Sequence, residues 1–114
     1  MSRRSSALKL AEAAPLFAAL GDETRLRLVS RLCAEGPLSI ARLSEGTDIT
    51  RQGITKHLHA LADAGLVKGS QQGRERIWEL EPKRLTKARE CLEQVSAQWD
   101  AAIERLQGFL DRNP

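Results

Sequence analysis

At Gly65 the apolar pattern of this 114-residue chain changes period. Before it, Ile54, Leu58 and Leu61 recur at spacings of four and three, which predicts a helix from Arg51 to Ala64. Thr50 is placed to cap its start and Gly65 to end it. After it, Leu66–Gln71 and Arg74–Leu80 are short runs flanking Gln72-Gly73. That is a hairpin signal, because glycine supplies the positive φ that a tight turn needs. A short capped helix delivered directly into a hairpin leaves few architectures open.

The residues upstream narrow them further. Ser39 can cap a short helix carrying Ile40, Ala41 and Leu43, which ends near Gly46. Asp22, followed by Glu23 at a positive helix start, caps an earlier helix. Leu26, Leu28, Val29, Leu32 and Cys33 give that helix its apolar stripe, and Gly36-Pro37 stops it. Residues 7–20 are rich in Ala and Leu and read as helical, with a break expected where Pro15 interrupts the run. Residues 1–9 are expected to be a frayed tail. After Glu81-Pro82 a long helix is predicted from Lys83 to Arg112. The order is four helices, a hairpin and a last helix. Two short helices joined by a tight turn and followed by a hairpin describe a winged helix-turn-helix. The fold class is therefore mainly α (α+β), a single domain over residues 10–114 with a two-stranded wing and a long C-terminal helix suited to dimerisation.

Composition removes whole classes of function. Aromatic residues are 4% with no Tyr, so Leu and Ala must form the core, which suits packed helices. No apolar run is long enough to span a bilayer, and no secretory signal is visible, so the expected location is the cytoplasm, away from membranes. Cys33 and Cys91 are too few for a disulfide framework and form no CxxC pair. There is no phosphate loop, no Cys/His nucleophile arrangement and no metal cluster, so neither an enzyme nor a cofactor is expected. The net charge of +3 decides little by itself, but residues 51–76 hold five Lys or Arg against two acidic residues. A basic stretch in a balanced chain can be a solvated face or a nucleic-acid footprint.

The helix from Arg51 carries the distinction. At about 100° per residue, Ile54, Leu58 and Leu61 form one buried stripe. Gln52, Lys56, His59 and Asp63 fall opposite, flanked by Gly53 and Thr55. Amide, ammonium, imidazole and hydroxyl groups in one strip can meet base edges in a major groove, Gln being suited to adenine and Lys to guanine. Gly53 would let the backbone approach closely, and Arg51, to the side, suits a phosphate. His57 and His59 cannot share a metal ion, since residues two apart on a helix point about 200° apart. His57, on the flank of the core stripe, is placed either for a phosphate or for local packing. In the wing, Arg74 and Arg76 are alternate residues with one backbone-facing side, and Gln71 and Gln72 sit at the tip. Ile77 and Leu80 are expected inside, with Trp78 partly covered.

Leu85, Ala88, Leu92, Val95, Trp99, Ala102, Leu106 and Phe109 form a heptad-like seam on the last helix. The seam runs roughly 45 Å, longer than a domain of this size is wide. A second copy is the economical partner, and Leu16 and Phe17 of the first helical segment are placed to join that interface. Two-fold symmetry would then present two reading helices to a pseudo-palindromic site.

These residues carry a family resemblance. Leu16-Phe-Ala-Ala-Leu-Gly-Asp-Glu-Thr-Arg-Leu-Arg-Leu resembles the opening of the ArsR/SmtB family of bacterial winged-helix repressors. Thr50-Arg-Gln-Gly-Ile-Thr-Lys-His-Leu, Leu61 and Ala64-Gly-Leu-Val resemble its recognition-helix signature, and Gly73-Arg-Glu-Arg-Ile-Trp-Glu-Leu-Glu-Pro its wing. The resemblance implies a homodimeric repressor of transcription that an inducer releases from its operator. It implies Thr50, Arg51, Gln52, Gly53, Thr55, Lys56, His57 and His59, with Gln72, Arg74 and Arg76, as the double-stranded DNA contacts. It implies Leu16, Phe17, Leu92, Val95, Trp99, Ala102 and Leu106 as the dimer interface.

Metal-sensing relatives carry a cysteine pair in the helix before the reading helix, where this chain has Ser39 and Ala41. Others place His ligands along the last helix, which here has none over residues 83–112. Soft metals need thiolate and zinc usually imidazole, so the chain resembles a metal-independent branch with an unknown small-molecule inducer. Two alternatives stay open: a protein-interaction module without sequence-specific DNA binding, and a repressor switched by oxidation of Cys33 or Cys91. Both thiols are expected to be buried and to act as small hydrophobes.

Overall fold

Three hydroxyl or carboxyl side chains set where the helices of the reading head begin. The computed structural model describes the backbone of residues 2–113 and the side chains of residues 10–113. Asp22 accepts the Arg25 N–H at 3.0 Å and starts α2, Glu23–Glu35. Ser39 accepts the Arg42 N–H at 3.2 Å and starts α3, Ile40–Ser44. Thr50 accepts the Gly53 N–H at 3.0 Å and starts α4, Arg51–Asp63. Each satisfies a helix-end N–H that would otherwise lack a partner. The expected caps at all three sites are the observed ones.

The first helix differs from expectation. α1, Ser2–Leu20, runs unbroken through Pro15. A proline there removes a hydrogen bond and crowds the preceding turn, at a cost of about 3 kcal/mol. Packing on both sides of it holds the helix together. Ala13 and Leu16 are buried, and Glu12 receives the Lys87 ammonium at 2.8 Å from α5, Pro82–Arg112. The frayed tail expected over residues 1–9 is instead part of α1 from Ser2 onward in the described backbone.

The stripe of α2 is narrower than its apolar residues suggest. Leu28, Val29 and Leu32 are buried, whereas Leu26 is 51% exposed and Cys33 is exposed. At about 100° per residue, Leu26 and Cys33 lie 100–120° round the helix from Leu32, past the edge of the packed face. The expectation that both cysteines are buried therefore holds for Cys91 and fails for Cys33.

The chain reverses after α4 at Gly65, φ +79°, into β2, Val67–Gln72, and β3, Glu75–Leu80. The hairpin register pairs Val67 with Leu80 and Gln72 with Glu75. The turn is therefore Gly73-Arg74, with Gly73 at φ +64°, and Arg74 sits in the turn, off the strand. A third strand, β1, Leu38–Ser39, pairs with Trp78 and Ile77 and completes a sheet of order β1-β3-β2. Trp78 is fully buried and Ile77 half-buried. Strand residues alternate faces, so Trp78 and Leu80 share the core side, and Ile77 cannot join Leu80 there.

Leu28, Leu43, Ile54, Leu58, Leu61, Leu66 and Trp78 form the core beneath the reading head. From it α5 projects for 31 residues. The radius of gyration is 18.5 Å, against about 13 Å for a compact chain of this length. This is a winged helix-turn-helix with a long, largely unburied final helix.

Candidate nucleic-acid interface

Ile54, Leu58 and Leu61 are all fully buried, which anchors α4 and fixes which way its opposite face points. Gln52 and Lys56 stand exposed on that face, with Arg51 at its start. Thr50 and Thr55 are both engaged locally: Thr50 as the cap, Thr55 through its hydroxyl donating to the Arg51 carbonyl at 2.8 Å.

Arg51, Gln52, Thr55 and Lys56 form one wall of a groove of about 760 Å³, and Gln71, Arg74, Glu75 and Arg76 form another. Ser39, Ile40 and Ala41 complete its lining. Four cationic side chains thus face one carboxylate, Glu75. The groove brings Arg51, Gln52, Thr55, Lys56, Arg74 and Arg76 together, as the sequence suggests. Gln72 stays exposed at the wing, outside the groove lining. Glu75 and the Ser39–Ala41 segment were not foreseen. Glu75 is placed by the hairpin register, opposite Gln72, and the Ser39–Ala41 segment by β1 joining the sheet, where two residues give no periodic signal.

Three residues on the reading helix also make contacts within the fold. Gly53 is a glycine because Ile49 occupies the space beside it: a Cβ there would lie 2.7 Å from Ile49 Cγ2. His57 points back into the domain. Its Nδ1 lies 3.4 Å from an Arg25 terminal nitrogen and 3.8 Å from Asp22 Oδ2. Local packing is therefore its observed role, and it lines no part of the groove. His59 is exposed but leans edge-on against Trp78, centroids 5.7 Å apart.

Trp78 also carries Arg76, whose guanidinium carbon is 5.3 Å from the ring centroid. Gly69, paired with Trp78 across the hairpin, leaves the room for it. The Asp22 carboxyl is held below the usual aspartate range, chiefly by the Arg25 N–H it accepts and then by the neighbouring His57 and Arg25 charges.

Of the residues proposed for a dimer interface, Leu92, Trp99 and Leu106 are exposed and Val95 and Ala102 half-buried. Ile103, Phe109 and Leu110 extend the same exposed apolar surface. Leu16 is a correction: it is 1% exposed within the single chain, so it could only support an interface from beneath. Phe17 packs partly buried against the same core.

A thiolate metal site does not fit here. Ser39 spends its hydroxyl on capping α3, and Ala41 offers no ligand. Among the described residues no three His, Cys, Asp or Glu side chains are grouped to hold a metal ion. No helix among them is long and apolar enough to cross a membrane.

Comparison with known proteins fits this geometry. A helix-turn-helix domain family matches residues 20–69. An HTH-type transcriptional regulator of Mycobacterium tuberculosis is 32% identical over 93 residues, covering 82% of this chain and 83% of that protein. An arsenical resistance operon repressor of Escherichia coli is 30% identical over 95 residues, covering 83% and 79%. Among solved structures, an ArsR-like transcriptional regulator from Rhodococcus sp. RHA1 superposes with a TM-score of 0.67 at 35% identity, covering 88% of this chain and 93% of that one.

Proposed function

We propose that this chain, which belongs to the ArsR family of helix-turn-helix transcriptional regulators, works as a homodimeric repressor that reads a pseudo-palindromic operator. The observation that carries the reading is the groove in which Gln52 and Lys56 of α4 face Arg74 and Arg76 of the wing. Gln52 and Lys56 supply the base contacts in the major groove, where an amide can bond adenine and an ammonium guanine. Arg51, Arg74 and Arg76 supply sequence-independent phosphate contacts. Repression is steric: the bound dimer occupies the promoter.

The exposed apolar surface of α5, from Leu92 to Leu110, supports dimerisation. A monomer rarely leaves so large a continuous apolar surface in water. Repression agrees with the named activity of the similar Escherichia coli protein. Arsenic sensing is not carried over, because Ser39 and Ala41 replace thiolates. The releasing signal is read as a non-metal one, a small molecule acting in the cytoplasm.

The test is fluorescence anisotropy against the DNA upstream of the chain's own gene and a scrambled duplex, across a salt series. Tight, salt-sensitive preference for the upstream duplex is expected. Gln52→Ala or Lys56→Ala should cost about 1–3 kcal/mol on that duplex and little on the scrambled one. Equal losses on both would contradict base reading, and no binding even at low salt would favour a protein-interaction module.

A further inference from the structure

We infer that Glu75 is a specificity-determining residue whose carboxylate accepts the exocyclic amino group of a G·C base pair and repels the phosphates of every duplex that lacks one there. The inference rests on the DNA-binding reading above and adds a base determinant on the wing that the reading does not contain.

Other glutamates of the reading head meet a cation. Glu35, Glu45, Glu79 and Glu81 lie 2.9–3.8 Å from Arg31, Arg42 or Lys68. Glu75 is exposed and shares its groove with Arg51, Lys56, Arg74 and Arg76, yet among the described residues none of them forms an ion pair with it. Arg76 leans on the Trp78 ring instead. Strand pairing fixes the backbone that carries the carboxylate. Glu75 opens β3 opposite Gln72, two residues before Ile77, which pairs with Ser39 of β1. The charge is therefore anchored on the sheet beside the wing turn, free in a groove otherwise lined by cations and neutral groups.

An ionised carboxylate accepts hydrogen bonds and donates none. It repels each phosphate that enters the groove, which costs about twofold in affinity for one exposed charge about 10 Å away in water. A duplex offsets that repulsion only with a donor, and duplex grooves present few. On the major-groove edge of cytosine the N4 amino group stands alone, whereas the amino group of adenine adjoins the N7 acceptor, which repels a carboxylate. In the minor groove guanine N2 is the only donor. Both amino groups belong to the G·C pair. Among the groove's side chains Glu75 alone can only accept, so it supplies the complement that Gln52 and Lys56 on the other wall lack.

The experiment is a pair of selections from random duplexes, with the wild type and with Glu75→Ala, circular dichroism confirming the fold of both. The wild type is expected to enrich a G·C pair that the variant leaves unselected, the other positions being retained. On the wild-type consensus duplex Glu75→Ala should lose about tenfold in affinity, within the range of one base contact. On a scrambled duplex it should gain about twofold, because a repelling charge is gone. Two base analogues separate the sources of the amino group. Inosine in place of the guanine deletes N2, and pyrimidin-2-one in place of the cytosine deletes N4. One of the two should weaken the wild type about tenfold and leave Glu75→Ala unmoved. Two silent deletions would overturn the inference. So would an equal gain by Glu75→Ala on both duplexes, which would reduce Glu75 to a repelling charge, or a selection that the variant leaves unchanged. No enrichment by the wild type would overturn the proposed function as well, which an unchanged selection would leave standing.

Discussion

The side chain of Arg76 crosses the wing over Gly69 and lies against the Trp78 ring: a Cβ at position 69 would be only 2.9 Å from Arg76 Nε. Cation–π attraction of this kind is worth about 0.5–1 kcal/mol at an exposed site, enough to bias a long, flexible side chain. The cation is thereby held at the mouth of the groove before DNA arrives. Arg76→Ala should flatten the dependence of log K on log salt by about one unit. Gly69→Val should reproduce part of that change with the charge retained, because the added methyl groups displace the guanidinium. An unchanged salt slope in both would remove Arg76 from the phosphate contacts.

Gly53→Ala tests the packing of the reading helix. In a bare helix this change would stabilise by about 1 kcal/mol. Here the new Cβ meets Ile49 Cγ2 at 2.7 Å, and forced repacking typically costs 1–3 kcal/mol. Ile49 Cγ2 sits on a branched carbon with little freedom to swing away, so the clash wins. Thermal unfolding should show a net loss of about 1 kcal/mol, and an unchanged or higher midpoint would contradict the contact.

Leu16 and Trp99 separate core from interface. Leu16→Ala should destabilise the fold by about 2–5 kcal/mol, because its side chain is buried within one subunit. Trp99→Asp alters a side chain that is 67% exposed, so the fold should persist while light scattering shows the mass of a monomer. A dimer that survives Trp99→Asp together with Leu106→Asp would mean that another surface joins the copies.

Much of this fold was legible because its determinants are local. Asp22, Ser39 and Thr50 announce helix starts through bonds to residues three positions on, and Gly65 and Gly73 announce reversals through a backbone angle that other residues resist. What was not legible depends on partners distant in sequence. Pro15 stays helical because Ala13 and Leu16 are held by the core, which no local rule contains. Leu26 and Cys33 read as stripe residues because periodicity reports which side of a helix faces inward but not how wide the covering is. His57 lies on the flank of the exposed strip on a helical wheel, which leaves a phosphate contact and local packing both open; the Arg25 and Asp22 side chains that it meets come from α2 and its cap, distant in sequence. The strip of Gln52 and Lys56 was legible; the carboxylate of Glu75 opposite it was not.

Acid should weaken the fold in a defined direction. The Asp22 carboxyl titrates below its unfolded value, near 3.9, because the ionised form accepts the Arg25 N–H. Glu12 is lowered likewise by the hydrogen bond and charge of Lys87. A group whose folded pKa is depressed contributes stability that is present above the unfolded pKa and lost as pH falls through the folded one. Unfolding midpoints should therefore drop below about pH 4. Asp22→Asn, which keeps a capping side chain, should make that drop shallower. An equally steep drop in the variant would dissociate the cap from the acid response.

Selection of bound sequences from a pool of random duplexes, followed by footprinting, tests the central claim most directly. Two reading helices on a two-fold dimer predict an enriched inverted repeat. Its half-sites should be centred about 10 base pairs apart, one turn of DNA, and be protected together. Gln52→Ala should relax the preference at matching positions in both halves. Recovery of an unselected pool, or of a single unrepeated site, would contradict the account.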